Sequence, residues 1–157
     1  MYIKFGGSFT ERGGWWVVAQ FALFGLLLLA LTRNTDPSLP LQVIGWLLVA
    51  VALVLAGAGM WMIRRRITAM PAPLDGAVLM ERGPFSVVRH PIYGGVVLGF
   101  LGLSIKGGNI YAAVLSLLLL PFFYAKTEHE ERLLIERFPE YAGYRDRVPR
   151  RILPWML

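Results

Sequence analysis

Four stretches of this chain carry no charged side chain: Gly13 to Thr32, Pro37 to Ile63, Pro91 to Ile105 and Gly107 to Ala125. No other feature narrows the possible folds as much. A helix that crosses a bilayer needs about 20 predominantly apolar residues, because each residue rises ~1.5 Å against a hydrocarbon core ~30 Å thick. The first, second and fourth stretches meet that length. The third reaches only about 22 Å, so it must tilt into a thinned region or bury its turn among the other helices. Inside lipid every backbone N–H and C=O needs a partner within the protein, which for runs of this length means helices. The 56% hydrophobic content of the 157 residues agrees with this. The expectation is an all-α, polytopic integral membrane protein with about four transmembrane helices, the last two a hairpin, followed by a cytosolic helical segment.

The breakers set the boundaries. Helix 1 is expected over about Trp15 to Thr32, with Trp15 and Trp16 at headgroup level. The polar stretch RNTDPSLP, 33–40, makes a turn, and helix 2 follows from about Leu41 to Ile63. Residues 67–88 read as a loop, since Pro71, Pro73, Gly76, Gly83 and Pro84 oppose a long helix. Helix 3 starts at Pro91, where a missing N–H costs nothing, and ends near Ile105. Lys106-Gly107-Gly108-Asn109 turns the chain into helix 4, about Ile110 to Ala125, which continues as a polar helix towards Arg137 until Pro139. A shorter piece holds Tyr141 and Tyr144. The whole is expected to be one membrane domain: an N-terminal helix pair (1–66), a cytosolic loop (67–90), and a cofactor-binding hairpin with its C-terminal segment (91–157).

If four segments span, all the Lys and Arg residues except Arg33 and Lys106 fall on one face, which the positive-inside rule makes cytosolic. Both termini and the Arg89-His90-Pro91 triplet then face the cytosol. The net charge of +6 reads as this topology signal and not as a nucleic-acid surface. The first helix is expected to stay in the product, because it follows Lys4, Glu11 and Arg12 and no small-residue cleavage site with a soluble domain comes after it. Cysteine is absent, which excludes disulfides, thiolate metal sites and cysteine nucleophiles; no metal site is expected.

The polar residues are placed by hairpin geometry. With the turn centred near Gly107 and Gly108, His90 comes level with Ala125, and Glu128 and Glu131 lie roughly 4 to 9 Å beyond that level. Two motifs some 40 residues apart therefore meet at the membrane rim. Free N–H groups at the start of helix 3 favour an anion, and Arg89 offers a bidentate grip on a carboxylate or phosphate. The carboxylates at 128, 130 and 131 favour an ammonium or ribose hydroxyls, and Tyr93 offers a ring and a hydroxyl. Gly95, Gly99 and Gly102 leave one face of helix 3 without side chains, either for a neighbouring helix or for a flat ligand. S-adenosylmethionine, with a carboxylate, an amine, a sugar and a base, meets these demands. Each residue also has a plain structural reading: Arg89 and Lys126 as interfacial anchors, Glu128 and Arg132 as an i,i+4 pair, His90 as a cap.

RHPIYGG and KTEHEERLLIERFPEYAGYRDRVPRRILP together resemble the C-terminal half of the isoprenylcysteine carboxyl methyltransferases, their prokaryotic relatives and the phospholipid methyltransferases. The shared pattern is G-P-[YF]-x-x-x-R-H-P-x-Y-x-G, a helical hairpin, then [RK]-T-E-x-E-E-x-x-L and a Tyr/Pro-rich tail, over roughly 83–154. The resemblance implies S-adenosylmethionine bound at the cytosolic rim, and methyl transfer to a small or lipidic acceptor reached from the lipid. It implies cofactor contacts for Arg89, His90, Tyr93, Gly95, Glu130 and Glu131, and alignment of the acceptor by Lys126 and Glu131. In-line transfer asks mainly for a nucleophile held close to the methyl carbon. A carboxylate acceptor needs no base, whereas an amine must lose a proton, a role open to Glu131.

Two departures leave the acceptor open. Lys126 stands where the eukaryotic enzymes have arginine, so a fork becomes a point charge. Phe138-Pro139-Glu140-Tyr141 is one residue shorter than the family's F-G-x-x-Y and lacks its glycine. The alternative is an NADPH-dependent membrane reductase of the steroid and sterol type, which also carries R-H-P-x-Y. Against it stand the short chain and an acidic EHEE cluster ill suited to a cofactor with three phosphate groups. A non-enzymatic scaffold is the remaining alternative.

Overall fold

The computed structural model describes residues 9–10, 13–63 and 79–154. The expectations for 64–78 and for both chain ends lie outside the described residues. Every regular element described is helical: α1 (Gly14–Ala30), α2 (Leu39–Ile63), a 3₁₀ turn (Gly83–Ser86), α3 (Pro91–Lys106), α4 (Ile110–Arg137) and α5 (Tyr141–Arg147). The α4 helix continues unbroken through the polar KTEHEER segment, as its pattern suggested.

The apolar side chains mostly face outward. Leu28 and Leu29 of α1, Leu47, Leu53 and Val54 of α2, and Leu117 and Leu118 of α4 are exposed. Among the described residues, two helices, α2 and α4, are long and apolar enough to cross a membrane, yet only 17% and 33% of their most apolar windows are buried. A core helix of a soluble protein would be mostly enclosed; these present hydrocarbon to their surroundings, as lipid-facing helices do. The other two apolar helices, α1 and α3, are shorter.

The bare face of α3 is a helix contact, not a groove for a ligand. A Cβ added to Gly95 would lie 2.6 Å from Ala56 Cβ and 2.8 Å from the Ala52 carbonyl on α2. One added to Gly102 would lie 2.7 Å from the Gly45 carbonyl. Between apolar helices in lipid, such close backbone approach supplies the packing that water-driven burial cannot. Gly94 is covered as well, by the Ile152 carbonyl. Gly95, expected to contact the cofactor, packs its backbone against α2. On the other side of α3, Ser104 and Ser116 of α4 meet at 3.2 Å, and each hydroxyl oxygen also lies 2.7 Å from the carbonyl four residues back.

The first helix joins chiefly through α4, with Trp16 against Phe122 and Phe24 against Phe123 and Phe100. Its far end is tied by Asn109. The Asn109 side-chain oxygen caps α4 by accepting from the Ala112 N–H at 2.9 Å, while its amide donates to the Ala30 and Arg33 carbonyls. Thr35 N–H donates to the Gly107 carbonyl at 2.8 Å, so the two short connections form one end of the bundle. Gly108 turns there with φ 64°, a conformation open to glycine. The opposite end carries the polar residues.

Candidate functional site

The site starts from a strap. After α5 the chain runs back over the start of α3, and the N–H groups of Arg89 and His90 donate to the Arg150 and Arg151 carbonyls at 3.0 and 2.8 Å. Ile152 and Leu153 of this strap sit in the apolar core with Val97, Leu98, Leu119 and Phe123. A second cluster, Tyr141, Tyr144 and Val148, anchors α5, and the Tyr144 hydroxyl donates to the Phe85 carbonyl at 2.6 Å. Burial pushes both phenols well above their usual range, the Glu131 charge adding to the effect at Tyr141, so both stay neutral.

Arg89 is enclosed by these elements. Its Nε donates to Glu131 Oε1 at 2.8 Å and its Nη2 reaches Oε2 at 3.4 Å; its Nη1 donates to the Val148 and Pro149 carbonyls at 2.6 and 2.8 Å. Both side chains of the pair are almost fully buried. The fork expected to grip a ligand instead grips the protein, joining the head of α3, the acidic turn of α4 and the strap. The N–H groups of Arg89 and His90, just ahead of α3, are likewise held by the strap.

Glu131 is the hub. His90 Nε2 lies 3.0 Å from Glu131 Oε1, a geometry that calls for the ring proton on Nε2. Arg151 Nη2 approaches Oε2 at 3.7 Å. Glu130, one residue earlier on the helix, faces the other way round His90: the Tyr93 hydroxyl donates to its Oε1 at 2.6 Å, and His90 Nδ1 lies 3.6 Å from its Oε2. The rings of His90, Tyr93 and Phe123 stack, with centroids 5.8 and 4.4 Å apart. Lys126, a turn before Glu130, is wholly buried; its Nζ lies 3.8 Å from Glu130 Oε1 and 5.0 Å from the Tyr93 ring centroid.

Arg89, His90, Tyr93, Lys126, Glu130 and Glu131 therefore form one network, at the depth that the hairpin geometry gave. Glu128 stands at its edge, half-exposed, closer to Arg151 (2.9 Å) than to its i,i+4 neighbour Arg132 (3.9 Å). Sequence reasoning missed Gln20, whose Oε1 accepts from Lys126 Nζ at 2.5 Å. The signal was present: Gln20 is the only amide in the apolar run of helix 1, and a polar group in such a helix seeks a partner. It also missed Arg151, whose guanidinium lies over the Tyr124 ring at 4.3 Å and joins Glu128 to Glu131. Nothing in the local pattern distinguished it from the other tail arginines.

A helical membrane fold with a buried ion network at one rim is the class that these features define. Residues 41–141 match the phospholipid methyltransferase family, and the chain belongs to it. Over 72 residues, 45% of this chain, it is 39% identical to the cobalt-zinc-cadmium resistance protein CzcN of Cupriavidus metallidurans. Over 74 residues, 46% of the chain, it is 36% identical to the protein-S-isoprenylcysteine O-methyltransferase of Schizosaccharomyces pombe. These matches span only 33% and 31% of those proteins' own lengths. The fold resembles that of the eukaryotic intramembrane Ras methyltransferase, isoprenylcysteine carboxyl methyltransferase, with a TM-score of 0.67 at 20% identity. That likeness covers 98% of this chain and 55% of the other.

Proposed function

We propose that this protein is an integral membrane methyltransferase that moves a methyl group from S-adenosylmethionine to a small or membrane-partitioning acceptor. In this reading it is one membrane domain with four spanning helices, its termini and polar rim are cytosolic, and the acceptor arrives from the lipid. The observation that carries the proposal is the convergence of the Arg89-His90-Tyr93 and Lys126-Glu130-Glu131 motifs into one network, within the segment that matches the family. Family membership lends the reductase alternative no support.

The donor set fits most of what the cofactor presents. Glu130 and the half-exposed Glu128 suit an ammonium and ribose hydroxyls, and the stacked His90 and Tyr93 rings suit a base. Arg89, committed to Glu131 and the strap, acts instead as the strut that fixes the other residues. When bound, the cofactor supplies an electrophilic methyl group on a sulfonium. The chain's part is positioning, and effective molarity is the main source of rate for a displacement of this kind. Lys126 presents its charge to an anionic or lone-pair oxygen of the acceptor. Glu131, with both oxygens engaged, holds His90 and Arg89 in register, which favours an acceptor that needs no base.

Calorimetric titration of the detergent-purified protein with S-adenosylmethionine, its demethylated product and NADPH tests the reading. Micromolar binding of the first two is expected, weakened about tenfold in Glu130→Gln, as loss of one charge-assisted contact implies. Binding of NADPH alone would overturn it.

A further inference from the structure

We infer that Gln20 is a positioning residue for Lys126, so that α1, which lies outside the segment matching the family, completes the site. The role rests on the acceptor-aligning part proposed above for Lys126. Gln20 is 8% exposed and sits in an otherwise apolar helix, where an unpaired amide is costly. Its Oε1 accepts from Lys126 Nζ at 2.5 Å across 106 residues of sequence. Lys126 itself is 0% exposed.

The geometry explains why a cross-helix partner matters. A lysine ammonium is a point charge on a flexible four-carbon stem, without the built-in orientation of an arginine fork. Glu130 lies on the same helix, one turn on, and at 3.8 Å it is near enough to draw the ammonium along α4 but too far for a hydrogen bond. Its Oε1 already accepts from Tyr93 at 2.6 Å. Gln20 pulls from α1 and holds the charge over the Tyr93 ring, leaving Glu130 to Tyr93. An uncharged acceptor serves better here than an acid, because it orients the ammonium without cancelling its charge. Lysine at 126, in place of the eukaryotic enzymes' arginine, thus comes with a partner that does part of the orienting.

The chain has only three lysines, Lys4, Lys106 and Lys126, so the ammonium can be observed directly. Protein labelled with ¹⁵N and ¹³C lysine in detergent is expected to show one slowly exchanging NH₃⁺ signal, which disappears in Lys126→Arg. Exchange should be about tenfold faster in Gln20→Leu and in Gln20→Met, as removal of one buried hydrogen bond implies, and no faster than wild type in Gln20→Glu, which keeps an accepting oxygen. Thermal unfolding of the same samples confirms that the variants are folded, and either apolar variant suffices if the other fails to fold. An unchanged exchange rate in the folded apolar variant would overturn the inference. Titration of the wild-type sample with S-adenosylmethionine separates the two proposals: no binding sinks the methyltransferase reading, whereas an unchanged lysine exchange rate in the folded apolar variant sinks only the role of Gln20.

Discussion

Arg89 and Glu131 show how a buried charge is tolerated at the end of an apolar helix bundle. The guanidinium satisfies a carboxylate and two carbonyls at once, a match of planar donors to planar acceptors that an ammonium cannot reproduce. Removing one partner leaves the other buried and uncompensated, which typically costs about 3–5 kcal/mol. We therefore expect Arg89→Ala to lower the thermal midpoint in detergent strongly, with Arg89→Lys recovering only part of the loss. A double variant, Arg89→Met with Glu131→Leu, should be less destabilised than Arg89→Ala. If it is at least as unstable, the pair is not the hub described here. Much of this residue-level picture was legible in advance. The fixed rise of a helical hairpin turning near Gly107 and Gly108 was enough to bring His90, with Arg89 beside it, towards the level of Glu128 and Glu131. The direction of the Arg89 fork was not legible, because its other partners are main-chain carbonyls of the strap, and any sequence can supply a carbonyl. Gln20 and Lys126 were hidden for a related reason: no local periodicity connects two side chains 106 residues apart.

At the scale of elements, the glycines of α3 are not equivalent, and two alanine substitutions separate them. A Cβ at Gly95 would lie within 2.9 Å of three atoms of α2, two of them backbone, which cannot move aside without shifting the helix. At Gly99 the nearest atom is Ala52 Cβ at 3.5 Å, an ordinary contact. Overpacking typically costs about 1–3 kcal/mol, whereas alanine improves a helix interior over glycine by up to about 1 kcal/mol. Gly95→Ala should therefore lower the thermal midpoint, and Gly99→Ala should leave it unchanged or raise it. Equal behaviour would mean that α2 and α3 do not pack through Gly95. The sequence displayed the bare stripe but offered two uses for it, because spacing shows which side of a helix lacks side chains and not what covers that side. Helix limits were easier to read: Pro91 and Arg137 both stand at observed ends, where proline chemistry and the breaker Pro139 fix them. A third substitution addresses the opposite end of the bundle. Asn109→Ala removes the cap of α4 together with two bonds to the end of α1, and a cap alone is worth about 0.5–2 kcal/mol. It should destabilise the fold while leaving cofactor binding at the distant rim intact.

For the whole molecule the open property is orientation, since apolar helices fix the direction normal to the membrane but not which side is which. The chain offers an unusually clean way to determine it. With no cysteine of its own, every introduced thiol reports on one position. The connections around Asp36 and Asn109 are held together by the Thr35–Gly107 bond, so both must lie on one side, while α5 and the ion network lie at the other end. If the basic residues set topology, the Asp36 side is the outer one, since only Arg33 and Lys106 stand near it. Asp36→Cys should then react with a membrane-impermeant maleimide in intact cells, and Arg145→Cys, exposed on α5, should react only after the membrane is opened. Labelling of both in intact cells, or of Arg145→Cys alone, would rule out four spans with a cytosolic site. The outcome also bears on chemistry, because S-adenosylmethionine is made and used in the cytosol. A network facing outward would lie beyond reach of the methyl donor, whatever its geometry.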